Sequence, residues 1–276
     1  MSLTPEEKKK LEEAAKNLRL SIVDVMSWSG GAHVGGSLSA ADILAILYFK
    51  QLSIFPDKPD DPDRDRFILS KGHAAAGFIP TLAMRGFFPA EELKSFNHFG
   101  SPFAMHPDGS KIPGVDASTG SLGHGLPMAV GMGLGARLLK ASFKIVCLMG
   151  DGECCEGSVW EAAMSLSHFK LLNVIPIIDR NRLMIDGFTE DVMNLEPFAD
   201  KWRAFGFNVL EINGHDFDEL SLALDAAWQA KDKPALILAN TIKGKGVDFM
   251  ENNVKWHYAS ADSDLARRAK ESIQGR

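Results

Sequence analysis

The sequence has no apolar run of about 18 residues, so it offers no membrane-spanning helix. It opens with MSLTPEEKKKLEE, which lacks an apolar stretch, and no secretory signal is expected. Cysteine is scarce, with only Cys147, Cys154 and Cys155. An odd number with two adjacent disfavours a disulfide framework, and the reducing cytoplasm is the expected compartment. No CxxC pair and no HExxH supplies a zinc site. Dense basic patches are also missing. The KKK cluster at 8–10 is flanked by acidic pairs, and the formal net charge is −6, so neither nucleic acid nor membrane is an expected partner. No repeat, low-complexity tract or break in composition divides the chain, and residues 1–276 read as one domain.

What is present is ordinary globular material: 276 residues, 45% hydrophobic and 24% charged. Thr4-Pro5-Glu6-Glu7 has the form of a capping box, and Leu11, Ala15, Leu18, Ile22 and Met26 follow at helical spacing up to Gly30-Gly31. A second helix is expected from Ser39 through DILAILYF. Arg66–Ser70 reads as a short strand running into Lys71-Gly72-His73, residues 74–86 as a helix, and 95–123 as a long irregular segment of the kind that carries function. Residues 126–140 read as a helix. KIVCLMG (144–150), NVIPIID (173–179), FNVLEIN (207–213) and PALILANT (234–241) read as strands, with helices over 158–170 and 217–230. Unbroken apolar strands alternating with helices predict an α/β fold. Its sheet would be doubly wound and mostly parallel, with helices on both faces.

Gly150-Asp151-Gly152 follows one apolar strand, and Asn181 follows the next, thirty residues later. That is the length of one βαβ crossover, so both side chains emerge at the carboxyl ends of neighbouring strands. A carboxylate and an amide oxygen there suit a hard divalent cation, and the flanking glycines let a diphosphate approach the backbone. Asp-Gly turns alone are common; the offset to Asn181 is what carries the metal–diphosphate reading. Four of the eight histidines, His33, His73, His106 and His124, lie in Gly-rich contexts, and His257 follows in Lys255-Trp256-His257. Each alone is more often a hydrogen-bonded loop residue. Together they suit sugar recognition and proton movement near neutral pH.

Five blocks carry a family resemblance: SGGAHVGGSLSAADILAILYF, DRFILSKGHAA, GVDASTGSLGHGLPMAVGMGLGARL, GDGECCEGSVWEAA and DRNRLMIDG. With TIKGKGVDFMENNVKWH they span almost the whole chain, and as a set they resemble the N-terminal, diphosphate-binding region of transketolase. The likeness is to split transketolases, whose N-terminal section is a separate subunit. It implies thiamine diphosphate and a divalent metal, Mg²⁺ with Ca²⁺ or Mn²⁺ as alternatives. Asp151, Asn181 and the Leu183 carbonyl would hold the metal. His73, Gly120, Ser121, Leu122, Gly152, Asn181 and His257 would lie against the cofactor. His33, His106 and His257 would act on the sugar. Glu156 matches a glutamate of an inter-subunit acidic network, or serves only as a partner for a helix N-terminus.

Three departures from the family bear on the sugar side. His33 stands in Ala-His-Val-Gly where Gly-His-Pro-Gly is usual, His124 stands in place of glutamine, and Arg182 in place of a small or polar residue. The resemblance leaves out a pyrimidine-binding domain and a C-terminal domain, which are expected on a partner chain, as an α₂β₂ assembly. The implied reaction moves a two-carbon ketol unit from a ketose, such as a pentose, branched or deoxy sugar phosphate or a sulfosugar, to an aldose. Within the cofactor class the rivals are a deoxyxylulose-phosphate synthase and a 2-oxo-acid dehydrogenase component; a non-catalytic paralogue is a third. Gly131-Met-Gly133-Leu-Gly135 superficially resembles a dinucleotide loop, but it follows no strand.

Overall fold

The computed structural model describes residues 2–275. Helix α1 (Pro5–Trp28) begins with the expected capping box: Thr4 Oγ1 accepts the Glu7 N–H at 3.2 Å, and the Thr4 N–H donates to Glu7 Oε2 at 2.8 Å. Its apolar stripe from Leu11 to Met26 is buried. The next helical segment starts earlier than Ser39. It comprises α2 (Val34–Ser39) and α3 (Ala41–Ile46), which ends in a π-helical turn over Leu47–Gln51. Glycines 35 and 36 lower the intrinsic helix preference of this stretch, which is why propensity places its start too late. Packing overrides them. All of 34–46 is buried, and a Cβ on Gly35 would stand 2.8 Å from the Trp256 carbonyl oxygen.

The rest follows in chain order as β1 (Arg66–Leu69), α4 (Ala75–Met84), α5 (Gly125–Leu139), β2 (Ile145–Gly150), α6 (Gly157–Phe169) and β3 (Val174–Arg180). Then come α7 (Thr189–Val192), α8 (Phe198–Ala204), β4 (Asn208–Asn213), α9 (Phe217–Trp228), β5 (Ala235–Asn240) and α10 (Ser263–Gln274). The short helices α7 and α8, and α10, go beyond the elements expected from the sequence. Every strand pairing is parallel, and the order is β1-β2-β3-β5-β4. The chain walks outward from β1 to β3, jumps to the edge at β4 and returns to β5. This reversal opens a crevice at the carboxyl ends of the strands. Gly131, Gly133 and Gly135 lie inside α5 and form no phosphate loop.

Alternation along each strand builds two apolar layers. Phe67, Leu69, Val146, Leu148, Ile175 and Ile177 face one core with α1, α3, α4 and α9. Ile68, Ile145, Cys147, Met149, Val174 and Ile178 face the other with α5, α6 and α8, where Trp202 is fully buried. Each such side chain contributes about 1.5–3 kcal/mol of transfer free energy, so the sheet is a rigid base for the loops at its end. Among the described residues no helix is long and apolar enough to cross a membrane.

Candidate active site

Four strand ends deliver side chains to one place: Lys71 and His73 after β1, Asp151 and Gly152 after β2, Asn181 and Leu183 after β3, and Lys243 after β5. His33, His106, Gly120, Leu122 and His257 arrive on separate loops, and together these residues line a cavity of about 380 Å³. Gly72 makes the crowding possible. A Cβ there would come within 2.8 Å of Thr119, so only glycine lets the β1 loop lie against the 119–122 loop.

The floor is a buried polar knot. Asp179 is fully buried and accepts from Lys71 Nζ, from Ser39 Oγ at 2.6 Å, from Thr241 Oγ1 and from Asn181 Nδ2 at 3.2 Å. Burial alone would raise its carboxyl; the Lys71 ammonium and the hydroxyl donors outweigh it and hold the group below the usual carboxylate range. Lys71 Nζ also donates to the Gly36 carbonyl at 2.8 Å. With its Nδ2 committed to Asp179, Asn181 presents Oδ1 on its other side, where it accepts the Leu183 N–H at 3.1 Å.

Asp151 is held just as tightly. Oδ1 accepts the Gly152 N–H at 2.7 Å, and Oδ2 accepts the Arg182 N–H at 2.6 Å and Arg180 Nη1 at 3.3 Å. Burial, with the charge of Asp179, pushes its carboxyl up. The Leu183 carbonyl points at Lys243 Nζ, 2.8 Å away. The same ammonium reaches the Met184 carbonyl at 3.2 Å and His257 Nδ1 at 2.8 Å. Lysine has no acceptor, so Nδ1 accepts and the His257 ring proton lies on Nε2. Burial and the neighbouring Lys71 lower Lys243 to about 8. Among the described residues no three His, Cys, Asp or Glu side chains are placed to hold a metal ion by themselves. The oxygen set is one carboxylate, one amide and one main-chain carbonyl.

The imidazoles form a cluster. His33 lies 5.3 Å from His73, 5.3 Å from His257 and 6.4 Å from His106, centroid to centroid, with Tyr258 at 5.0 Å. Burial, then the charges of His106 and Lys243, lower His33 to about 4. Burial, then Lys243, lowers His257 to about 3, and His73 falls well below its ordinary value through burial and the charge of Lys71. These three rings are neutral near pH 7. His33 Nδ1 is buried and has no hydrogen-bond partner among the described residues. A buried orphan donor or acceptor at a cavity wall suits a polar ligand.

Of the residues named from the sequence, the cavity gathers His33, His73, His106, Gly120, Leu122, Asp151, Gly152, Asn181, Leu183 and His257. Ser121 instead lines an adjoining open hollow with His124 and Met128, and both Ser121 and His124 are exposed. Arg182 projects to solvent, and its contribution is its backbone amide, at φ 63°. Glu156 stands at the N-cap of α6 without a side-chain capping bond. Sequence reasoning missed Lys243, Glu153 and Arg180. Lys243 follows β5 as Asn181 follows β3, so the strand-end rule already pointed to it.

A parallel α/β sheet whose strand ends converge on oxygen ligands, an ammonium and neutral imidazoles defines a protein that binds an anionic cofactor in its crevice. Comparison with known proteins makes this particular. The family model described as "Transketolase, thiamine diphosphate binding domain" matches residues 10–274. An apulose-4-phosphate transketolase subunit of Phocaeicola vulgatus is 41% identical over 266 residues, which is 96% of this chain and 94% of that one. The 6-deoxy-6-sulfo-D-fructose transketolase subunit SqwG of a Clostridium species is 40% identical, with 96% of each chain covered. The crystal structure of transketolase from Campylobacter jejuni superposes with a TM-score of 0.91 at 35% identity, covering 96% of this chain and 43% of that one. The chain therefore belongs to the transketolase family, and it corresponds to the thiamine diphosphate binding domain.

Proposed function

We propose that this chain is the diphosphate-binding subunit of a split transketolase. In this reading the Asp151 carboxylate, Asn181 Oδ1 and the Leu183 carbonyl would hold a divalent metal, Mg²⁺ with Ca²⁺ or Mn²⁺ as alternatives. Lys243 and the Gly152 turn meet the diphosphate. The observation that carries the reading is the convergence of one carboxylate, one amide oxygen and one main-chain carbonyl beside a buried ammonium. A metal with so few protein ligands takes the rest from phosphate and water. Thiamine diphosphate, when bound, supplies an electron sink for cleavage of the bond beside a ketose carbonyl.

The chain's own residues do the remaining work. His33, His106 and His257 surround the open part of the cavity, where imidazoles hydrogen-bond sugar hydroxyls and move protons between them. His33 Nδ1 is free to accept or donate to a hydroxyl, and His257 offers its Nε2 proton. His73 and Leu122 wall the cofactor side, and Gly120 and Ser121 border the hollow beside it. Lys71 is committed to Asp179, so it neutralises the floor and does not reach substrate.

The donor is a ketose with an anionic end, phosphate or sulfonate, as the names of the two relatives suggest for those proteins. The cavity's two lysines are both engaged on the floor side, so the partner polypeptide is the one to grip that end. The partner also carries the pyrimidine-binding domain, in an α₂β₂ assembly. The test is to isolate this chain with whatever co-purifies and assay ketose-to-aldose transfer. Activity that needs both polypeptides, thiamine diphosphate and a divalent metal supports the reading. Full activity of this chain by itself overturns the split.

A further inference from the structure

Glu153 follows the Asp151-Gly152 turn directly, lines the cavity, and is only 3% exposed. Its carboxylate accepts from three donors on three different loops. Oε1 takes Ser70 Oγ and the Gly123 N–H at 2.8 Å, and Oε2 takes the Gly150 N–H at 3.0 Å. Ser70 Oγ in turn accepts the Gly125 N–H at 3.1 Å. Each loop carries part of the cofactor wall: Lys71 and His73 follow Ser70, Gly120 to Leu122 precede Gly123, and Asp151 follows Gly150. Gly123 itself sits at φ +80°, where a Cβ would stand 2.6 Å from Glu156, so this turn cannot shift to another backbone conformation freely.

A carboxylate beside an anion-binding cavity is costly, both by desolvation and by repulsion of the ligand. All three hydrogen bonds run toward the carboxylate, so the ionised form is the one the loops are built around. A residue there only to fill space would be apolar.

On the reading that this cavity takes thiamine diphosphate, we propose that Glu153 is the positioning residue of the cofactor site: its carboxylate ties the β1, 120–125 and β2 loops into one rim. Cofactor affinity then depends on it more than turnover does. Glutamine at this position keeps the size and can still accept from Ser70 and Gly123, but it sets an amide N–H₂ against the Gly150 N–H.

The experiment compares wild type, Glu153→Gln, Ser70→Ala and the double variant, each in the assembled enzyme. Thiamine diphosphate is titrated by calorimetry at fixed Mg²⁺, alongside thermal midpoints and kcat at saturating cofactor. Glu153→Gln is expected to weaken cofactor binding about tenfold, the effect of one misdirected charge-assisted hydrogen bond, with kcat within about twofold. Ser70→Ala is expected to weaken it several-fold, and the double variant to lose more than either single variant, because Glu153→Gln disturbs the Gly150 bond and Ser70→Ala removes the Ser70 bond. If Glu153→Gln does not assemble, Ser70→Ala carries the test. Unchanged cofactor affinity in the variants, or a loss confined to kcat, overturns the proposal while leaving the transketolase reading intact. A wild-type assembly that binds no thiamine diphosphate overturns both.

Discussion

The Asn181 amide nitrogen donates to Asp179 Oδ2 at 3.2 Å, and Lys71 donates to the same oxygen from the opposite loop. One fully buried carboxylate thereby does two things. It neutralises an ammonium that is 1% exposed, and it turns the Asn181 side chain so that oxygen, not nitrogen, faces the Leu183 side. Asp179→Asn would leave Lys71 as an uncompensated buried charge. The expected cost is about 3–5 kcal/mol in urea unfolding. Lys71→Met combined with Asp179→Asn should recover much of it, since the stranded charge goes too. A single-variant loss of under about 1 kcal/mol would show that the pair does not hold the floor together.

Asp151 and Lys243 fail differently in the proposed site. Asp151→Ala removes the only carboxylate among the three proposed metal ligands, so thiamine diphosphate binding should lose its dependence on Mg²⁺ and fall about a hundredfold or more. Lys243→Met leaves those ligands in place and frees the Leu183 carbonyl. Binding should weaken about tenfold and remain metal-dependent. Calorimetric titration of cofactor at several Mg²⁺ concentrations separates the two. The same metal profile in both variants would refute the division of labour between them.

Asp151 and Asn181 were legible because the strand-end rule needs only two apolar runs and their spacing. The parallel sheet and its helices were legible for the same reason: burial on both faces of β2 and β3 leaves continuous apolar stretches. Lys243 follows β5, which the sequence also announces, but it stands three residues past the strand's end in Thr241-Ile242-Lys243-Gly244-Lys245, where a lysine reads as an ordinary solvated loop residue. Arg180 and Glu153 were hidden for a deeper reason. Their meaning lies in partners from distant loops. Arg180 ends a strand that reads as apolar, yet it meets Asp151, Thr189 and Glu196. Glu153 looks like an ordinary acid in a first helical turn. Long-range convergence of this kind has no local signal.

His33 should separate binding from chemistry. Its Nδ1 makes no bond within the described chain, and it is none of the three proposed metal ligands. His33→Ala in the assembled enzyme should leave the cofactor dissociation constant within about threefold. It should lower kcat/KM for the ketose about a hundredfold, the usual scale of a lost acid–base or hydrogen-bonding imidazole. A variant that loses cofactor and activity in parallel would place His33 on the wrong side of the cavity.

The imidazole cluster also sets a direction for acid stability. His33 sits at about 4, His257 at about 3, and His73 well below its ordinary value of 6.5, all chiefly through burial. Lys243, Lys71 and His106 add positive charge against them, and no carboxylate is among the causes of these shifts. In the unfolded chain the three rings take up protons as pH falls through 6.5, whereas the folded chain does not. The unfolded state then binds more protons, so stability is fully present above 6.5 and declines as pH falls toward 3. Denaturant unfolding of the cofactor-free chain between about pH 7.5 and 4.5 should show this slope. Replacing His33 or His257 by Gln should flatten it by up to one proton each. An unchanged slope in both variants would mean that these rings titrate alike in the folded and unfolded chain.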